Sequence, residues 1–144
     1  MTRKIVISTL LALALCLPEA AADYFFKVND LKATLTVQPD SRVELRYAVT
    51  FTPEPGSHPV DIVDIGLPNE SYDLSSARAS ISGLELTDIR NSEYVKPGVE
   101  VHLGGSTIFP GRTAILEFVI MAKQMIYPDS EDRNFAFIQA SLSE

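Results

Sequence analysis

The sequence is poor in cysteine, tryptophan and histidine, and each shortage excludes a class of protein. A single cysteine, Cys16, cannot form an internal disulfide, so the chain is not one of the small secreted domains that disulfides hold together. Without tryptophan it lacks the flat side chain typical of carbohydrate platforms, and only Tyr72, Tyr94 and Tyr127 could take its place. These tyrosines are better explained as rings folded against the domain with their hydroxyls in water.

The residues that could carry chemistry do not form a catalytic pattern. His58 and His102 are far apart in the chain and lack the short spacing of zinc ligands. Gly104-Gly105-Ser106 lacks the second glycine of a nucleophile elbow, and a Ser106–His102 pair would need an aspartate that no motif identifies. The sequence therefore favours a protein that is not an enzyme, with a hydrolase as the weaker alternative.

Residues 1–22 have the three parts of a secretory signal peptide. Arg3 and Lys4 precede an almost wholly apolar run over 5–17, and Ala20 and Ala22 supply the small residues of a cleavage site. We expect cleavage between Ala22 and Asp23. The apolar run is shorter than the ~20 residues that a membrane-spanning helix needs. The chain is thus predicted to be exported to the periplasm, the cell surface or the medium, with no membrane span after cleavage.

Cys16 also raises the alternative of a lipoprotein, in which an acyl chain on a processed cysteine would anchor the protein. Leu15 stands directly before it, where a lipidation site has a small residue. Cleavage after Ala22 is therefore preferred, and it removes the only cysteine.

The domain left at 23–144 is acidic. The whole chain has a formal net charge of −7, and loss of Arg3, Lys4 and Glu19 leaves ten basic and eighteen acidic residues, a net charge of −8. Such a surface repels phosphate backbones, so nucleic acid is excluded as a partner. The length fits one domain with its own core, and an exported domain without cysteine fits a bacterial envelope.

Apolar and polar residues alternate along much of the domain, which is the pattern of β-strands with one buried face. Apolar residues recur at every second position over 31–37 and again over 43–51, with Pro39 and Asp40 between, so these segments are predicted to form a hairpin. Residues 60–67 change phase, which predicts a bulge near Ile62 and Val63. Residues 72–76 are predicted to form a turn or a single helical turn. The run over 113–122 is apolar on both faces and predicts a central strand. Eight or nine short strands at this spacing predict an all-β, immunoglobulin-like sandwich.

One acidic segment suggests a calcium site. Asp129, Glu131, Asp132 and Asn134 place oxygen donors within six residues, which is the ligand chemistry of Ca²⁺. The segment lacks the glycine and the distal glutamate of an EF-hand loop, and Arg133 adds a cation among the donors. A solvated acidic loop is the alternative. No other cofactor is indicated.

Four segments together resemble the N-terminal extracytoplasmic domain of a group of uncharacterised bacterial exported proteins: HPVDIVDIGLPN at 58–69, ISGLELTDI at 81–89, SEYVKPGVEVHLG at 92–104 and IFPG at 108–111. The resemblance covers about 24–140 and implies a signal peptide and an all-β domain outside the cytoplasm. It also implies a longer chain with a C-terminal membrane segment, which this sequence lacks at Glu144, so we expect a domain truncated at its C-terminus. The resemblance carries no site residue.

These observations predict a non-enzymatic binding or assembly module of the bacterial envelope. The edge strands of a sandwich can pair with an extended segment of a protein partner, and the first and last strands are the candidates. The alternative is a calcium- or ligand-binding protein that uses the 129–134 loop.

Overall fold

The computed structural model describes residues 24–132 and 136–138, so the predicted signal peptide with its cleavage site at Ala22 and Asp23 lies outside the described residues. The described part is all-β, as predicted: it contains ten strands, one short 3-10 turn and no α-helix. The strands are β1 Phe26–Val37, β2 Val43–Pro53, β3 Ile62–Gly66, β4 Tyr72–Ile81, β5 Leu84–Leu86, β6 Ile89–Asn91, β7 Gly98–His102, β8 Ala114–Ala122, β9 Ile126–Pro128 and β10 Ala136–Ile138.

Two antiparallel sheets of unequal width form the body of the fold. The larger sheet has the order β1-β2-β8-β4-β5, and the smaller has the order β3-β7-β6. The chain passes from the larger sheet to the smaller after β2, returns for β4 and β5, and crosses again for β6 and β7. It then comes back to the larger sheet for β8, which lies between β2 and β4. A separate two-stranded ladder joins β9 and β10. Within the described residues, no helix is long and apolar enough to cross a membrane.

The core lies between the inner faces of the two sheets. Leu45 pairs with Ile120 and Tyr47 with Phe118 across β2 and β8, and all four side chains are buried. The rings of Tyr47 and Phe118 stack with their centroids 6.4 Å apart. The smaller sheet contributes buried Val99 and Val101 to the same cluster, along with Leu103 directly after β7. Since burying one large apolar side chain contributes roughly 1.5–3 kcal/mol, this cluster is the main source of stability.

A tyrosine hydroxyl ties the two sheets together at one end. Tyr72 begins β4 in the larger sheet, and its hydroxyl lies 2.9 Å from Asn91 Oδ1 and 3.2 Å from the Gly98 carbonyl in the smaller sheet. Burial, and then the nearby charge of Glu70, raise the pKa of this hydroxyl, so it remains a donor at neutral pH.

The local predictions succeeded where alternation was regular. The predicted hairpin is β1 and β2, and the predicted central strand is β8. The turn predicted at 72–76 is wrong, because this segment is the start of β4. The register of β4 against β8 shifts between Asp73 and Arg78. In this interval the Ser76 hydroxyl donates a hydrogen bond to the Asp73 carbonyl and accepts one from the Met121 N–H. A side chain thus replaces part of the strand ladder, which breaks the regular sequence pattern.

The bulge predicted near Ile62 and Val63 is absent from β3, and the change in the alternation of apolar residues over 60–67 has another cause. Strand β3 pairs with β7 without a shift from Ile62 to Gly66. Val60 lies outside this strand and forms an isolated bridge with Ile108. Two short pairings with different partners therefore explain the two apolar phases.

Candidate functional site

Strand β1 carries an apolar face that no described residue covers. Leu31, Leu35 and Val37 lie on the inner side of the larger sheet, since they pair in register with Val49, Leu45 and Val43 of β2. Yet all twelve residues of β1 are exposed, whereas Val43 and Leu45 are fully buried. The smaller sheet therefore covers β2 and stops short of β1.

The outer edge of β1 is also free for backbone pairing. Gln38 N–H donates to the Arg42 carbonyl at one end of the hairpin, and Glu54 N–H donates to the Phe25 carbonyl at the other. Hydrogen-bonded and non-bonded pairs alternate along an antiparallel ladder. The N–H and C=O groups of residues 31, 33, 35 and 37 consequently point away from β2. Among the described residues no strand lies beyond β1 to receive them.

A cleft of about 540 Å³ opens between β1 and β3, which are edge strands of the two sheets. Its apolar wall contains Val49, Phe51, Val60 and Val63. The β1 side of the cleft adds the aromatic rings of Tyr24 and Phe26. The Phe26 ring meets the Phe51 ring edge-on at a centroid distance of 6.4 Å. The remaining lining residues are Asp61, Ile62, Asp64, Tyr94 and Glu100.

The β3 side of the cleft is acidic. Its lining includes the carboxylates of Asp61, Asp64 and Glu100, and it includes no lysine, arginine or histidine among the residues that the structure describes. Asp64 and Glu100 are register partners on neighbouring strands, so their side chains share one face. We call these three residues the acidic lip. The cleft therefore has an aromatic side and an acidic side.

A buried serine fixes the geometry at one end of the acidic lip. The Ser92 hydroxyl donates to Asp64 Oδ1 and accepts the N–H groups of Tyr94 at 3.1 Å and Val95 at 2.9 Å. Ser92 itself is buried, whereas Tyr94 is 86% exposed. One hydroxyl thus holds both the Asp64 carboxylate and the turn that presents the Tyr94 ring.

The other two carboxylates of the lip differ in their surroundings. Glu100 Oε1 lies 2.8 Å from His102 Nε2, and both side chains are largely buried. The Asp61 side chain is exposed and has no hydrogen bond or ion pair with the described residues. Asp61 is therefore the carboxylate most available to a ligand.

One arginine, Arg90, lies on the strand next to Glu100 of the lip, but another carboxylate is its main partner. Arg90 pairs in register with Glu100 on the outer face, but its guanidinium donates two hydrogen bonds, of 2.7 and 2.6 Å, to Asp88. This hydrogen bonding and the attraction between the charges lower the pKa of Asp88 and raise the pKa of Arg90. Asp88 is thus the main partner of the Arg90 charge, and Glu100 of the lip interacts with it more weakly.

The structure describes three of the four predicted calcium ligands, Asp129, Glu131 and Asp132, in the segment directly after β9. Asp129 Oδ1 accepts the N–H groups of Glu131 at 2.8 Å and Asp132 at 3.4 Å. Asn134 lies outside the described residues. Over 24–132 and 136–138, no group of three or more acidic, histidine or cysteine side chains is arranged to hold a metal ion. A calcium site that includes Asn134 stays a prediction.

The other candidate residues are dispersed. The centroids of the His58 and Tyr24 rings lie 6.1 Å apart. His102 forms a hydrogen bond with Glu100, and Ser106 lies in the 3-10 turn Gly104–Ser106. No hydrogen bond joins Ser106 to His102 among the described residues, so this pair forms no nucleophile–base arrangement. The Tyr127 hydroxyl donates to the Gln124 carbonyl at 2.9 Å.

Sequence reasoning did not find the cleft, because its lining residues come from separate strands and form no local motif. The available signals were the aromatic cluster at 24–26 and the two aspartates within the apolar segment at 60–65. No family model, curated protein or solved structure matches the chain.

Proposed function

We propose that the protein is an exported, non-enzymatic binding module with an immunoglobulin-like sandwich, and that it binds an extended segment of a partner protein in the bacterial envelope. The segment adds to β1 as the next antiparallel strand of the larger sheet. Main-chain hydrogen bonds supply affinity in this mode of recognition, and alternate side chains supply specificity.

The uncovered state of β1 is the observation that supports this proposal. A long exposed edge strand with an apolar face invites pairing with another chain, and soluble proteins usually shorten, charge or cover such an edge. Here the inner face of β1 presents Leu31, Ala33, Leu35 and Val37 without an intervening charge. The register irregularity at Asn29, between Val28 and Asp30, is the main interruption of the strand.

The bound segment would cover existing apolar surface. Its inward side chains would lie beside those of β1, and a segment that continued past Val28 would enter the cleft next to Phe26. Covering apolar surface contributes about 25 cal/mol per Å², which supplements the backbone hydrogen bonds.

Amide hydrogen exchange tests this function directly. A short peptide of alternating valine and threonine serves as the probe. Its binding should slow exchange at the N–H groups of Leu31, Ala33 and Leu35, which point to the free edge. Exchange at Lys32 and Thr34 should change little, because their N–H groups already pair with β2. Protection confined to the loops, or no protection at any peptide concentration, would overturn the proposal.

A proline variant provides the matched test. Ala33→Pro removes one outward N–H without removing a bond to β2, and proline is tolerated on the solvent side of edge strands. It should abolish peptide binding, while Ala33→Ser at the same position should bind as the parent does. Equal binding by the two variants would show that strand addition is not the mode of recognition.

A further inference from the structure

We infer that the segment recognised by this protein is basic as well as apolar, with lysine or arginine side chains that contact the acidic lip. The inference rests on the proposed function and specifies the chemistry of its partner. It follows from the lining of the cleft, which combines apolar and aromatic side chains with Asp61, Asp64 and Glu100 and with no basic residue among those described.

The alternation of an extended segment fits this lining. Every second side chain of a bound strand would point to the apolar wall formed by Val49, Phe51 and Val63. The side chains between them would point to the rim of the cleft, where Asp61 is exposed and its carboxylate has no hydrogen bond or ion pair with the described residues. A long basic side chain can lay its stem on the apolar wall and keep its charge at this rim.

The aromatic residues add a second preference for a cation. Tyr24 and Phe26 lie on the β1 side, and Tyr94 projects from the turn held by Ser92. A guanidinium or ammonium group placed over such a ring is attracted to its face. Carboxylates and aromatic rings thus line the same cleft, and this combination favours a positively charged side chain within it.

Charge also distinguishes this partner from a second copy of the chain. The chain has a formal net charge of −7, so two copies repel each other at low ionic strength. A basic segment is instead attracted to the protein as a whole and to the acidic lip in particular. We therefore assign the site to a different, basic polypeptide.

Three probe peptides test the inference. They share alternating valines, and the positions between carry lysine, threonine or glutamate. The lysine peptide should bind at least about tenfold more tightly than the glutamate peptide, with the threonine peptide between them, a difference that corresponds to about 1.4 kcal/mol. The preference should shrink as salt is raised, because these charges lie near solvent.

A pair of protein variants separates the acidic lip from the overall charge. Asp61→Lys should weaken binding of the lysine peptide severalfold and strengthen binding of the glutamate peptide. Glu85→Lys makes the same change in net charge on β5, at the opposite edge of the larger sheet. Glu85→Lys should leave the ratio of the two affinities near that of the parent.

The outcomes separate the two proposals. If all three peptides bind equally, or if Asp61→Lys and Glu85→Lys behave alike, the inference of a basic partner is overturned while strand addition stands. If none of the peptides binds, the proposed function itself is overturned. A protein that dimerises through β1 at micromolar concentration, seen by sedimentation, would place a second copy in the site and also overturn the inference.

Discussion

The two strands of the β1–β2 hairpin have the same alternating pattern and opposite surroundings. Leu35 and Leu45 face each other across the ladder on the same side of the sheet, yet Leu35 is 39% exposed and Leu45 is 1% exposed. The alternating patterns of β1 and β2 differ too little to explain this difference in exposure. The difference arises because the smaller sheet has three strands and covers only part of the larger sheet of five. Burial of a strand thus depends on a layer that is assembled from distant parts of the chain.

The sharpest test of this contrast compares one substitution at the two paired leucines. Leu45→Ala should lower the free energy of unfolding by about 2–5 kcal/mol, because it leaves a cavity in the core. Leu35→Ala should cost under about 1 kcal/mol, since its side chain is already in contact with water. Chemical denaturation of both variants measures this. Similar losses would mean that β1 is covered in solution.

The second test weakens the covering sheet itself. A Cβ atom at Gly98 would lie 2.7 Å from the Val95 carbonyl oxygen and 2.8 Å from that of Ile65. Gly98→Ala should therefore displace β7 and cost about 1–3 kcal/mol. Gly105→Ala is the control, because nothing lies within 4 Å of a Cβ there. A thermal melt of each variant gives the comparison, and an unchanged melting temperature for Gly98→Ala would contradict the packing described.

The third test concerns the turn that carries Tyr94 beside the covering sheet. Ser92→Ala removes a buried hydroxyl that serves two N–H groups and Asp64, so a loss of about 1–3 kcal/mol is expected. The Ser75 hydroxyl also forms a hydrogen bond with an aspartate, Asp73, but Ser75 is exposed. Ser75→Ala should therefore change the free energy of unfolding by no more than about 0.5 kcal/mol. Urea unfolding ranks the two. If Ser75→Ala proved the more costly, the Ser92 turn would not be the stabilising one.

The smallest effect is expected at the Asp88–Arg90 pair on the outer face. The folded pKa of Asp88 lies below its usual value of 3.8, chiefly through the hydrogen bonds from Arg90. A lowered carboxyl pKa contributes stability above the unfolded pKa and loses it as the pH falls through the folded pKa. Asp88→Asn should thus be slightly less stable than the parent at pH 7, and the difference should shrink as the pH falls below 3.8. A constant difference across this range would show that the charge is irrelevant.

The sequence could predict where the strands lie more readily than which strand faces are buried and which residues meet in the cleft. Regular alternation identified the hairpin and the central position of β8, because side-chain period is a local property. The start of β4 was missed, since Ser76 there substitutes for ladder bonds. The signal peptide and the calcium site at Asp129, Glu131, Asp132 and Asn134 stay predictions. The acidic lip joins Asp61, which directly precedes β3, with Asp64 of β3 and Glu100 of β7. The uncovered state of β1 depends on where the smaller sheet ends.

The position of β5 has a practical consequence. Its turn at Ser82 and Gly83 is exposed and lies at the edge of the larger sheet farthest from β1. A fluorophore or an immobilisation tag attached there would leave the cleft facing the solution. Such a handle would allow surface-based measurements of peptide capture without steric interference from the support.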